Sequence, residues 1–239
     1  MFKDAVDQFK EYAKLMYPAE ACGYVVDDEF VPCRNISSSP QHHFEISPTE
    51  YPVDGLQAVL HSHTNGNKSP SKEDMEGQVR SAKPWGISTV SDSGIVSDPI
   101  WWGNGIEIPP IKNRPYRWGP SGSDGAGDCY ALIKDWYKLE KDIDLPEFPR
   151  QWDDYQHPEW NMYLDNFKSA GFEEVYQDEA ERGDVILMKI PVMMEWPNHA
   201  GIYLGPTEGM IHHLINRPSN QESVTRWVKN ITHFLRRKK

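Results

Sequence analysis

Residues 116–136 read Tyr116-Arg-Trp-Gly-Pro-Ser-Gly-Ser-Asp-Gly-Ala-Gly-Asp-Cys-Tyr-Ala-Leu-Ile-Lys-Asp-Trp136. The first half is a glycine- and serine-rich loop that cannot sustain helical periodicity. From Cys129 onward the pattern changes: Cys129, Leu132, Ile133, Trp136 and Leu139 recur at the spacing of one helix face. The helix is therefore expected to start at the cysteine. A thiol in a first helical turn faces unpaired backbone N–H groups and the positive end of the helix dipole, which favours thiolate. Cys129 is thus the candidate nucleophile.

A cysteine nucleophile needs a base within hydrogen-bond reach and a third group to orient that base. Downstream, a helix is expected near Trp160 to Lys168, then strands at Val185–Ile190, His199–Leu204 and Met210–Ile215. Gly205-Pro-Thr-Glu-Gly209 reads as the turn of a hairpin joining the last two. Cross-strand pairing then brings His199 and His212 close. Asn198 and His213 compete for the same roles. His212 and His213 point to opposite sheet faces, so only one can face the sulfur.

Upstream, Phe2, Val6, Phe9, Ala13 and Met16 mark an amphipathic helix that stops at Tyr17-Pro18. Gly23–Val26, Phe30–Ile36 and Gln57–Leu60 read as strands, and Ser71 opens a helix running through Ala82. Ile87–Val90 and Gly94–Val96 return to strand. This order describes an α+β unit of about one hundred residues. Residues 97–115 are dense in proline and glycine and read as a link. Two domains are expected, 1–108 and 109–239, and the fold class is α+β in both halves.

The third upstream strand runs into His61-Ser-His63, which puts two imidazoles on one side of the chain. Eleven residues later, Asp74 lies in the first turn of the next helix. Two histidines and a carboxylate form a ligand set for catalytic zinc, with a fourth position left to water. Such a water still needs a base, for which Glu20, between the first helix and first strand, is the candidate.

The 239 residues carry a net charge of −11, which argues against general nucleic-acid binding. Acidity is concentrated N-terminally: sixteen acidic and eight basic side chains in 1–108, against twenty and seventeen in 109–239. The one basic cluster, Arg236-Arg237-Lys238-Lys239, reads as a solvated tail. Three cysteines at irregular spacing do not indicate a disulfide framework. No apolar signal region and no run of membrane-spanning length is visible, so a soluble, unexported product is expected.

Two resemblances sharpen these readings. Glu20, His61-x-His63, Ser71 and Asp74 together resemble the JAMM (MPN-plus) metalloprotease signature over about residues 1–100. That resemblance implies a JAMM-like α/β sandwich. It implies Zn2+ held by His61, His63 and Asp74, Glu20 as general acid/base, and Ser71 at the oxyanion. Over about residues 112–235 the chain resembles the NlpC-type cysteine peptidases, which are papain-like in fold. The matching pieces are Pro115–Gly119, Asp128-Cys129, Arg182–Leu187, His199–Gly205 and Met210–His213. It implies Cys129 as nucleophile, His199 as base, His212 as the orienting member and Tyr116 near the oxyanion, with no cofactor for the peptidase. The family usually carries Ser-Gly after the cysteine, where this chain has Tyr130-Ala131. The two domains in this order resemble tail-tip proteins of long-tailed bacteriophages. Phage tail-tip partners, peptidoglycan stem peptides as substrate, and location in the host cytoplasm and then the virion tail are what this implies.

Overall fold

The apolar spacing of residues 2–16 is realised in α1 (Lys3–Met16), which buries Ala5, Val6, Phe9 and Ala13. These pack on Ala21, Val25, Phe30, Ala58, Leu60 and Trp101. Burying Phe9 or Val6 contributes about 1.5–3 kcal/mol each, and Phe9→Ala is the single change that would cost this layer most, about 3–5 kcal/mol. The computed structural model describes residues 1–51, 54–151, 153, 157 and 160–238.

The strands beneath α1 are β1 (Cys22–Val26), β2 (Glu29–Cys33), β3 (Leu56–His63), β4 (Pro84–Thr89) and β5 (Ile100–Gly103). Their spatial order is β2-β1-β3-β4-β5. Only β3 and β4 are parallel, with α2 (Lys72–Ser81) crossing between them. Strand alternation gives Ala58 and Leu60 to the α1 face, while Val59 joins Cys22, Tyr24, Cys33, Trp85, Ile87 and Trp102 on the other. Helix α2 comes close to this second face at Gly77, where a Cβ would lie 2.4 Å from the Trp85 ring. Only glycine allows that approach.

Strand β5 corrects the reading of residues 97–115 as an irregular link. Ile100-Trp-Trp-Gly103 pairs antiparallel with β4, and both tryptophans are buried. Gly94–Val96, expected as strand, contributes only an isolated bridge from Val96 to Val90.

In the second half, α3 (Cys129–Lys141) is capped by Asp128, whose side chain accepts from the Ala131 N–H. Strands β6 (Phe172–Val175), β7 (Val185–Met188), β8 (His199–Gly205), β9 (Gly209–His212), β10 (Asn220–Glu222) and β11 (Ile231–Arg237) form an antiparallel sheet. Its order is β10-β9-β8-β7-β11-β6. Leu132, Ile133, Trp136 and Tyr137 of α3 pack on Val185, Leu187, Ala200, Ile202 and Leu235. The buried residues of α3 run from Tyr130 to Tyr137, and the last turn, from Lys138 on, leaves the core. Leu139 lies just outside it, 56% exposed, and is not the core residue its spacing predicts. Between α3 and the strands, the expected helix near Trp160–Lys168 is one short turn, α4 (Met162–Asn166).

Of the terminal basic cluster, Lys239 lies outside the described residues, and Arg236 and Arg237 are not a free tail. Arg236 and Arg237 belong to β11, an interior strand. Arg236 forks onto both Asp184 oxygens, at 3.0 and 2.9 Å, and Arg237 donates to the Gly171 carbonyl. The chain divides into two compact units, one built mainly from residues 1–107 and the other mainly from 108–239. No helix among the described residues is long and apolar enough to cross a membrane.

Candidate functional sites

His61 and His63 occupy the last turns of the β3 pleat, on the face that carries Val59, Trp85 and Trp102. Their Nε2 atoms lie 3.1 Å apart, and His63 Nδ1 is 2.7 Å from the Asn67 carbonyl oxygen. Since a carbonyl only accepts, His63 carries its proton on Nδ1 and presents a lone pair at Nε2. Asp74 completes the group: the ligand-type atoms of His61, His63 and Asp74 all lie within 4.8 Å of one another, and all three residues are buried. Asp74 precedes by one helical turn the Gly77 that seats α2 on the sheet, which turns its carboxylate toward the strand. Two imidazole nitrogens turned on one point beside a carboxylate can be shared by a cation, and the donor set fits zinc.

Phe44, Trp85 and Trp102 wall the His61 ring at 4.6, 5.9 and 6.3 Å between centroids. Glu20 is buried. Cys22 is opposite His61, and the Ser62 N–H donates to the Ala21 carbonyl, so one further step of register sets Glu20 beside His63. Ser71 and Asp74 bond reciprocally, Ser71 N to Asp74 Oδ2 at 2.8 Å and Asp74 N to Ser71 Oγ at 3.0 Å. Ser71 is therefore the N-cap of α2, and its hydroxyl hydrogen is still available as a donor.

In the second half, a cleft is lined by Cys129, His199, Tyr116, Tyr163, Arg150 and His213, among others. Cys129 is half-buried, at the first position of α3. Burial, with Asp128 beside it, pushes the thiol up to about 11, against the pull of the Tyr163 hydroxyl, the Arg150 guanidinium and the Ala200 amide. The helix start thus does not hold a resting thiolate: desolvation outweighs it. The Tyr163 hydroxyl lies 3.3 Å from the sulfur.

His199 Nε2 and His212 Nδ1 are 3.0 Å apart. His212 is opposite Gly201, and His199 and Gly201 share a sheet face, so the two rings meet diagonally. Gly201 makes this possible: a Cβ there would sit 2.9 Å from the His212 Cβ and 2.9 Å from the Ile211 carbonyl. Burial, then the neighbouring His212 and His213, holds His199 well below the usual histidine range. Burial also lowers His212 to about 4, against the opposing charge of Glu222. Both are neutral imidazoles at pH 7.

The competitors, Asn198 and His213, line the same cleft in other arrangements. Asn198 clamps the backbone of Ile190, accepting its N–H at 2.8 Å and donating to its carbonyl at 2.7 Å, which closes the loop between β7 and β8. His213 lines the cleft, edge-on to Tyr116 at 5.2 Å, whereas His212 faces His199 behind it. Arg150 and Tyr163 carry no sequence signal, because the segment holding Arg150 has no periodicity. Arg150 is buried and forks onto Asp128 at 2.7 and 2.9 Å. Asp128 also accepts from Gly119 N and Ala131 N, so its carboxylate fastens loop, helix start and Arg150 together.

Residues 113–236 match the NlpC/P60 family, and residues 2–100 match prokaryotic homologs of the JAB domain. Tail tip assembly protein K of Escherichia phage lambda is 32% identical over 180 residues, covering 75% of this chain and 80% of that protein. The protein of the same description from Escherichia phage N15 is 28% identical over 234 residues, covering 92% and 88%. A solved NLP/P60-family structure from Staphylococcus aureus, described as similar to lipoprotein, aligns at 20% identity and TM-score 0.36, covering 53% of this chain and 37% of that one.

Proposed function

We propose that this chain, which belongs to the NlpC/P60 family and has a JAB-like N-terminal region, is a phage tail-tip cysteine endopeptidase that cuts peptidoglycan stem peptides. What supports the tail-tip role is homology to two proteins described as tail tip assembly protein K, over most of the chain. What supports the peptidase is the bonded His199–His212 pair behind a cleft that also exposes Cys129.

The resting pair is thiol and neutral imidazole. As sulfur attacks the scissile carbonyl carbon, His199 takes the thiol proton, so charge separates only when substrate has displaced water. His199 then gives that proton to the leaving amine, and water attacks the remaining thioester to release the acid and restore the thiol. His212 holds the His199 ring by the 3.0 Å contact. Tyr163 supplies a hydroxyl beside the sulfur, and Tyr116 lies across the cleft. Tyr130-Ala131 in place of the usual Ser-Gly puts a buried tyrosine behind the nucleophile, which narrows the floor.

A second reading concerns the N-terminal site. His61, His63 and Asp74 would hold zinc, which supplies Lewis acidity and a water nucleophile at neutral pH when bound. Glu20 beside His63 is the proton carrier, and the Ser71 hydroxyl is a donor at the rim. The facing Nε2 atoms favour this reading, and its substrate class is a tail polypeptide processed during assembly. Zymography on purified peptidoglycan separates the two. Clearing by wild type that is lost in Cys129→Ala carries the first. Tail-protein processing lost only in His61→Ala carries the second. Clearing by neither, with tails assembling normally from both variants, leaves a structural subunit.

A further inference from the structure

His212 has two neighbours, and the second has no place in the mechanism above. Its Nδ1 meets His199, while its Nε2 lies 3.8 Å from Glu222 Oε2. Glu222 ends β10, diagonal to His212 across the β9–β10 ladder. Its side chain is 13% exposed and that of His212 is 1% exposed. Trp227 Nε1 donates to the same Glu222 oxygen at 2.8 Å, and the Trp227 ring stands edge-on to His212 at 5.1 Å. Arg226 also approaches Oε2, at 3.5 Å, from a side chain 68% exposed. A surface ion pair with Arg226 would contribute at most about 1 kcal/mol. It would require neither the indole hydrogen bond nor the burial.

A carboxylate accepts and cannot donate. At 3.8 Å from His212 Nε2 it stands beyond hydrogen-bond length, but its negative charge favours the tautomer with the proton on that nitrogen, leaving Nδ1 as a lone pair. A lone pair at His212 Nδ1 makes His199 donate from Nε2. His199 Nδ1 is then the lone pair, the nitrogen left to receive a proton from the cleft side, where Cys129 lies. We propose that Glu222 is a positioning residue that sets the proton order of the two histidines, and through it the basic nitrogen of His199. This rests on the cysteine peptidase reading of the cleft. It extends that reading by one residue outside the matched nucleophile–histidine set.

The order predicts an unusual ranking of variants. Glu222→Gln is nearly isosteric but removes the charge and turns an N–H dipole toward His212 Nε2; closing the 3.8 Å gap, that amide stabilises the opposite tautomer, which would leave His199 protonated on the cleft side. Glu222→Ala removes the preference without reversing it. Gln should therefore be worse than Ala, with Asp restoring part of the rate.

The test uses full-length protein labelled with 15N at histidine, with long-range proton–nitrogen spectra reading each ring's tautomer. Turnover of purified peptidoglycan fragments is measured in parallel. Expected are Nε2–H at His212 and at His199 in wild type, a shift to Nδ1–H at His212 in Glu222→Gln, and kcat lowered about 10- to 1,000-fold with KM changed less than threefold. Should Glu222→Gln not fold, Trp227→Phe keeps the ring on His212 but frees the carboxylate, and a partial shift of the same sign is expected. Wild-type His212 protonated at Nδ1 would overturn the proposal, as would Gln and Ala variants with unchanged tautomers. The spectra need no turnover: the expected tautomers in a protein inert on peptidoglycan would sink the peptidase reading and leave the proton order standing.

Discussion

The two candidate sites are assembled from opposite kinds of sequence. His61, His63, Ser71 and Asp74 come from one strand and the helix that follows it, with only Glu20 brought in from outside. Cys129, Arg150, Tyr163, His199, His212 and Glu222 are drawn from across nearly one hundred residues. They differ in charge as well. The first sets two imidazoles and a carboxylate within 4.8 Å of one another, a donor set compatible with a cation. In the second, burial holds the thiol and imidazoles neutral, and the Asp128 carboxylate beside the thiol is matched by Arg150. A short motif suffices where one strand and the following helix carry most of the set. A site without one needs a whole sheet to bring its members together.

The sharpest way to break this contrast is to remove one member of each site. Cys129→Ala should lower peptidoglycan cleavage at least about 1,000-fold, as loss of a nucleophile does elsewhere, while metal bound per chain, read by elemental analysis, stays as in wild type. His61→Ala should do the reverse for metal, bringing content to background after dialysis against a weak chelator. If His61→Ala keeps its metal, the cation hole has been misassigned. Gly201→Ala comes next. The added methyl would push His212 away from His199 by something near 1 Å, enough for about a 100-fold loss in kcat; kcat within threefold of wild type would mean the diagonal contact is not needed.

Acid should separate the halves by a smaller margin. His199, His212 and His213 are buried neutral, and their affinities for protons are depressed by burial, to about 4 for the last two. The unfolded chain therefore binds protons first as pH falls below about 6.5. Stability is full above that value and is lost toward pH 4, by up to about 1.4 kcal/mol per pH unit for each histidine. Thermal unfolding of the full chain across that range should show the transition containing the β7–β9 strands falling with acid. A transition that holds constant would show that the three rings titrate freely. Smallest is Ser71→Ala, which removes the α2 cap and should cost about 1 kcal/mol by denaturant midpoint.

Legibility followed the same divide. The strand–histidine–helix order of the first unit and the Asp128-capped start of α3 were readable because each rests on spacing within a dozen residues. The hairpin that sets His199 against His212 was readable too, since a five-residue turn carries its own chemistry. What escaped were elements whose partners lie far off. Trp101 and Trp102 sit in a proline-rich run, and only β4 makes them a strand. Glu222 and Tyr163 gain meaning from His212 and Cys129, which no local pattern links to them. The resting state of Cys129 escaped for another reason. A helix start was visible, but the desolvation that overrides it depends on what the cleft walls bury.

Strand β11 lies between β7 and β6, yet it is the last of the sheet to be synthesised. Until residue 237 has left the ribosome, β6 has no neighbour and one edge of β7 is bare, its Val185 and Ile186 without Leu235 and Phe234 opposite them. Bare apolar edges invite pairing with the wrong chain. Nascent copies on one messenger are therefore most at risk of sticking to each other until β11 has emerged, and slowing synthesis just ahead of β11 should lower soluble yield more than slowing it ahead of α1.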